Sequence, residues 1–362
     1  SSAASDVYKR QGKVPSGGRG RMINTVYRLA QPRRFEVAFE NIELFGSNAV
    51  VRPTHLSICN ADMRYYLGTR DAKVLAQKLP MALIHEGIGQ VVYDPTGTFK
   101  CGDRVVMIPN IPCEEDSVIA ENYLRSSKFC GSSADGFLQE YVELSPKRLV
   151  ALPEDINLNV AAFTEIVSVS MHAVSRFDKI AHSRRDTIGV WGDGNLGYIT
   201  TLLLKKNFPE SKVYIFGTNY EKLADFTFAD GAYLVTDVPE GMQIDHAFEC
   251  VGGNGSPVAI EQIIGLIRPE GTISLMGVSE YPVAVNTRMV LEKGLRLFGS
   301  SRSGVKDFEK TVSLYRKNPE IIDYLGNLIS SVNEIKTLAD IKAAFEKDAR
   351  KAFGKTIMKW EI

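Results

Sequence analysis

A thiol, an imidazole and a carboxylate fall in one stretch of the chain. Cys59 lies in Ser57-Ile58-Cys59-Asn60-Ala61-Asp62, and His85 and Glu86 lie in Leu83-Ile84-His85-Glu86-Gly87-Ile88-Gly89. These three donor types together suit Zn²⁺, and a catalytic zinc keeps one position open for substrate. The stretch is not the His-Glu-x-x-His helix of a metalloprotease, because Gly89 stands where the second His belongs. Taken alone, the residues read equally as a buried thiol beside a surface His-Glu pair.

A second pattern is a phosphate cradle. Ile188-Gly189-Val190-Trp191 is an apolar run leading into Gly192-Asp193-Gly194-Asn195-Leu196-Gly197, with helical spacing after it. Strand, Gly-x-Gly-x-x-Gly and helix in that order form a dinucleotide fingerprint. Gly192 permits the tight turn, Gly194 lets backbone approach a pyrophosphate, and Gly197 lets helix and strand pack closely. Asn195 and Leu196 then open the helix, whose free N–H groups face the phosphates. The next strand, Val213-Tyr214-Ile215-Phe216, ends in Gly217-Thr218-Asn219-Tyr220. An NAD site places Asp or Glu there to bond the ribose 2′-hydroxyl. Gly217, Thr218 and Asn219 instead leave room and partners for a 2′-phosphate, and Lys222 adds positive charge nearby, so the expected cofactor is NADP(H).

The elements that must position these residues are of two kinds. From Arg34 to Val142, short alternating runs are broken by turns such as Asp94-Pro95-Thr96-Gly97: strands at Arg34–Leu44, Ala49–Ile58, Ile88–Tyr93, Arg104–Ile108 and Gly136–Val142, with a loop or lobe over 110–135. That pattern predicts a partly closed β domain. After Pro153, strand and helix periods alternate, including a helix over Glu221–Phe228, which predicts a doubly wound parallel sheet. The tail reads as helices and a closing strand at Phe353–Trp360. The fold class is α/β. The expected division is 22–165, completed by 301–362, and 166–300. Residues 1–21, rich in Ser, Gly and basic side chains, read as a disordered or non-native extension.

Composition excludes several function classes. The chain has 362 residues, 44% hydrophobic and 24% charged, with 43 basic and 43 acidic side chains. A formal net charge of zero gives no case for a nucleic-acid partner. No apolar run is long enough for a membrane span. Five widely spaced cysteines, an odd number, argue against a disulfide framework and fit the cytoplasm.

Together these motifs, with Gly102-Asp103-Arg104-Val105 and Thr164-Glu165-Ile166-Val167-Ser168-Val169-Ser170-Met171-His172-Ala173, resemble the zinc-dependent medium-chain alcohol and polyol dehydrogenases over residues 24 to 362. The resemblance implies a GroES-like β domain and a Rossmann domain. It makes Glu165 the fourth metal-site residue, as a ligand or through water, and leaves His172 as a packed helix residue. Within the family the chain is most similar to ribulose-5-phosphate reductases of teichoic acid and capsule synthesis. That implies reduction of D-ribulose 5-phosphate to D-ribitol 5-phosphate with NADPH, a homodimer, and association with a cytidylyltransferase. Arg64 and Arg302 match positions near the substrate cleft and are the candidates for the substrate phosphate.

Three departures from the family pattern stand out. The lobe has only Cys113 and Cys130, so one catalytic zinc and no structural zinc is expected. Ala61 replaces the hydroxyl residue that relays the proton, and Ile84 replaces the glycine before His85. The alternatives are a polyol or secondary-alcohol dehydrogenase acting on an unphosphorylated substrate, and a catalytically silent cofactor-binding protein of the same fold.

Overall fold

Thr187–Trp191 is an apolar run buried on both faces, and it becomes the centre of a six-stranded parallel sheet. It pairs with Lys212–Gly217 (Ile188↔Val213) on one side and with Ile244–Glu249 (Ile188↔His246) on the other. Gly231–Leu234 extends one edge, and Ile267–Leu275 then Arg296–Gly299 extend the other. In chain order the strands stand 3-2-1-4-5-6, so the sheet reverses direction beside Thr187–Trp191. Its carboxyl end opens the crevice where such sheets bind dinucleotides. This computed structural model describes residues 20–44 and 46–362.

The second large sheet holds the first half of the chain and its end. Its order is Leu149–Ala151, Arg104–Met107, Glu86–Tyr93, Ala49–Ser57, Lys355–Trp360, Ile329–Ile335, with Val142–Leu144 also pairing with Ala49–Ser57. Ser57 thus lies opposite Glu86 on one side and Ile357 on the other. Three segments remote in sequence are therefore fixed side by side, just ahead of Cys59. A three-stranded antiparallel sheet, Arg34–Glu43, Arg21–Gln31 and Met81–Ala82, packs alongside.

The expected elements need three corrections. Arg21–Gln31 is an unforeseen strand. It interrupts its apolar alternation with Asn24 and Arg28, and residues 135–141 satisfy these: Asn24 bonds Gln139 and Tyr141, and Arg28 bonds Asp135. That strand takes in Arg21, which the expected extension included; residues 1–19 of that extension lie outside those described. Gly136–Val142 is not a ladder strand, because Gly136, Phe137 and Leu138 donate irregularly to Ala82, Ile84 and Leu83. The helix expected over Glu221–Phe228 shrinks to Tyr220–Leu223. The helix Thr164–Ile180, which begins where the cofactor unit is expected to start, packs on Asn195–Asn207 and Val305–Lys317. No helix among the described residues is long and apolar enough to cross a membrane.

Candidate active site

Asp62 sets the metal-site geometry from below. Cys59 caps the helix Asn60–Tyr66, and the fully buried Asp62 carboxylate accepts from Cys59 N at 3.0 Å and from Ile84 N at 3.0 Å. One carboxylate therefore ties the cysteine turn to the strand entry that carries His85. Ile84 takes φ +71°, the left-handed backbone that glycine adopts freely and a β-branched residue resists. The Ile84 carbonyl accepts from Phe137 N at 2.7 Å, which helps hold this turn in place.

One ligand atom from each of Cys59, His85 and Glu86 lies within 4.8 Å of the others. Donors around one tetrahedral zinc stand roughly 3.5 Å apart, so a small inward movement satisfies the ion. His85 and Glu86 are buried. Glu86 Oε1 accepts from Lys355 Nζ at 2.9 Å, while Oε2 lies 2.7 Å from that nitrogen outside hydrogen-bond geometry. Lys355 also donates to Ile58 O at 2.9 Å. A buried carboxylate oxygen without a hydrogen bond, next to a thiol and an imidazole, fits a divalent soft-to-borderline cation. Burial works against a charged His85 ring, but Asp62, 3.6 Å from Nδ1, and Cys59 hold it well above its ordinary range.

Glu165, at the start of the helix Thr164–Ile180, is buried and close enough to feel His85 and Glu86. Burial pushes its carboxyl up to about 7. It is not within the close group of three, so the structure brings it beside the ligand set and not into it. His172, two turns further along the same face of that helix, is fully engaged. Its Nδ1 meets Asp307 at 2.9 Å and its Nε2 meets Tyr123 Oη at 2.9 Å, which is the packed role expected of it.

The two candidate phosphate residues have different surroundings. Arg302 takes φ +58°, and its guanidinium stacks 4.6 Å from the Phe129 ring centroid. Burial lowers its pKa and the nearby Glu165 raises it, so its charge lies beside the metal site. Arg64 is half-buried, and its Nη1 lies 3.2 Å from Glu280 Oε2, with Arg70 Nη1 at 3.8 Å from the same oxygen.

The glycine loop fits a dinucleotide. Gly192 has φ +122°, and a Cβ there would come within 2.9 Å of Cys250 backbone. A Cβ on Gly197 would stand 1.7 Å from Gly192 O, so the helix packs against the loop with no room for a side chain. A Cβ on Gly194 would meet nothing within 4 Å, the open space a pyrophosphate needs above the N-terminus of Asn195–Asn207. The Asn195 side chain is engaged elsewhere: it donates to Gly354 O at 2.9 Å and accepts from Gly354 N at 3.2 Å. Leu196 is half-buried against the core. At the next strand end Gly217 is buried, while Thr218 and Asn219 are exposed. Lys222 holds its ammonium 5.8 Å from the Phe353 ring centroid.

The strand end has no carboxylate of its own, but one reaches it from the glycine loop. Asp193 reaches across from the loop, and its Oδ2 accepts from Thr218 N at 2.6 Å and Asn219 N at 2.8 Å. Sequence reasoning also passed over Asp62 and Lys355. The first was visible three residues after Cys59 as an N3 carboxylate, and the second had no local signal.

Comparison with known proteins gives a consistent result. The alcohol dehydrogenase GroES-like domain matches residues 46–154, and the zinc-binding dehydrogenase domain matches 221–317. A ribulose-5-phosphate reductase of Bacillus spizizenii is 57% identical over 94% of this chain and 100% of its own length. Ribulose-5-phosphate reductase 1 of Staphylococcus aureus is 55% identical, over 94% and 99%. The crystal structure of S. aureus TarJ in complex with NADPH superposes with a TM-score of 0.85 at 50% identity, covering 94% of this chain and 100% of that one.

Proposed function

The chain belongs to the zinc-dependent medium-chain dehydrogenases, among their ribulose-5-phosphate reductases, and from that membership we propose how its residues divide the work. It is an oxidoreductase that reduces ribulose 5-phosphate with NADPH. The observation that carries this reading is identity above half over nearly the whole length, with the ligand set in place. Cys59, His85 and Glu86 hold the metal, and Glu165 stands beside it. Gly192, Gly194, Asn195, Leu196 and Gly197 receive the pyrophosphate through backbone. Gly217, Thr218, Asn219 and Lys222 face the 2′-phosphate.

The chemistry the bound groups supply is Lewis-acid polarisation of the substrate C2 ketone by Zn²⁺ and hydride from NADPH. The protein does the rest. Asp62 and the Ile84 turn fix the ligand positions before substrate arrives. Lys355 pairs with Glu86 in a buried setting, and that pairing raises the pKa of the ammonium against the pull of burial. The product oxygen must also gain a proton, and Ala61 has no hydroxyl to pass one. Glu165 is the carboxyl placed to deliver it, through water. Arg302, and after it Arg64, hold the substrate phosphate, a dianion that an Arg fork bonds at two oxygens.

We read 22–165 with 301–362 as the metal-binding unit and 166–300 as the cofactor unit. The enzyme is cytoplasmic and homodimeric. Its ribitol 5-phosphate passes to a cytidylyltransferase for teichoic acid or capsule synthesis.

The test is metal content and rate together. The protein should hold about one zinc per chain. Cys59→Ser should lose both the zinc and NADPH consumption with ribulose 5-phosphate. Retention of full activity by a zinc-free Cys59→Ser protein would sink the reading.

A further inference from the structure

The strand end that should welcome a 2′-phosphate already holds an anion. Asp193 Oδ2 accepts from Thr218 N at 2.6 Å, from Asn219 N at 2.8 Å and from Thr218 Oγ1 at 3.3 Å. Its carboxylate also fills the space beside Gly217, where a Cβ would come within 2.7 Å of Asp193 Cβ and Oδ2. Gly217 therefore does not leave an open hole. The carboxylate that NAD enzymes carry at the strand end is delivered here from inside the glycine loop, one strand earlier.

We infer that Asp193 is a specificity-determining residue that competes with the cofactor's 2′-phosphate for Thr218 N, Asn219 N and Thr218 Oγ1. This rests on the assignment of the glycine loop as the NADPH site. Two anions cannot share the same three donors at contact distance, since each takes the same N–H bonds and repels the other. For NADPH to bind, the carboxylate must leave the donors. The energy spent on that displacement reduces the enzyme's preference for NADPH below what the donors alone would give. With NADH the carboxylate stays on Thr218 and Asn219 and loses nothing. The glycine at 217 gives room for this arrangement, because any side chain there would push Asp193 off.

Two adenosine probes separate the effect from general loop damage. Adenosine 2′,5′-bisphosphate carries the 2′-phosphate, and adenosine 5′-monophosphate lacks it. Both are titrated calorimetrically into the full-length zinc-loaded enzyme, as unmodified protein, Asp193→Asn and Asp193→Ser. Asn keeps the shape and one acceptor, and Ser covers the case in which Asn does not fold. The bisphosphate should bind on the order of tenfold more tightly to either variant, the effect of removing one like charge at close range. The monophosphate should change by less than about twofold. Bisphosphate affinity that stays the same or falls in the folded variants overturns the inference. A bisphosphate that does not compete with NADPH in the unmodified enzyme means that the cofactor site itself has been misplaced.

Discussion

Asp62 and Lys355 brace the candidate metal site from outside its three donors. Cys59, His85 and Glu86 were legible because thiol, imidazole and carboxylate stand close in sequence. Lys355 was not, since it lies 269 residues from Glu86 and reaches it only because the last strand pairs beside Ala49–Ser57. Both charges are fully buried. Removing one partner of such a pair leaves the other uncompensated, at a cost of about 3–5 kcal/mol. Lys355→Met should therefore lower the urea midpoint strongly in chelator-treated protein. The loss should be smaller with zinc loaded, because the cation then offsets the Glu86 charge. Equal losses in both states would mean that Glu86 does not face the metal. Arg302 and Ile84 teach a related point. Both take left-handed backbone, which sequence patterns do not expect of a non-glycine residue.

At the scale of elements, the parallel sheet was the most legible part. Thr187–Trp191, Lys212–Gly217 and the glycine loop announce themselves by continuous apolar runs meeting glycines. Arg21–Gln31 and the 135–141 segment were illegible because polar residues at their inner positions satisfy one another across the fold. His246 in the strand Ile244–Glu249 offers a stability test. Its Nδ1 accepts from Thr272 N at 3.1 Å, and its Nε2 lies 3.0 Å from Arg184 O, so the ring fits only as the neutral Nε2–H form. Burial, then the neighbouring His182, lowers its pKa to about 4. The unfolded chain takes up this proton near pH 6.5 and the folded chain near 4. Stability therefore falls as pH drops through that window, by at most about 1.4 kcal/mol per pH unit for one proton. His246→Asn should flatten the slope of melting temperature against pH between 6.5 and 4. An unchanged slope would remove His246 as a source of acid sensitivity.

For the whole molecule, the central claim is that a net-neutral protein gathers zinc, NADPH and a phosphorylated ketose at one cleft. The phosphate must then be read by local cations, and Arg302 is the one whose left-handed backbone and half-buried guanidinium lie beside Glu165. The most direct measurement is kcat/KM with NADPH for D-ribulose 5-phosphate and for D-ribulose, in the unmodified enzyme and in Arg302→Ala. Loss of one charge-assisted contact costs about 2–3 kcal/mol, or roughly 30- to 150-fold. The unmodified enzyme should favour the phosphorylated substrate by at least that factor, and Arg302→Ala should lose it while changing the rate on ribulose much less. Equal rates on the two substrates in the unmodified enzyme, or equal losses on both in Arg302→Ala, would contradict the account.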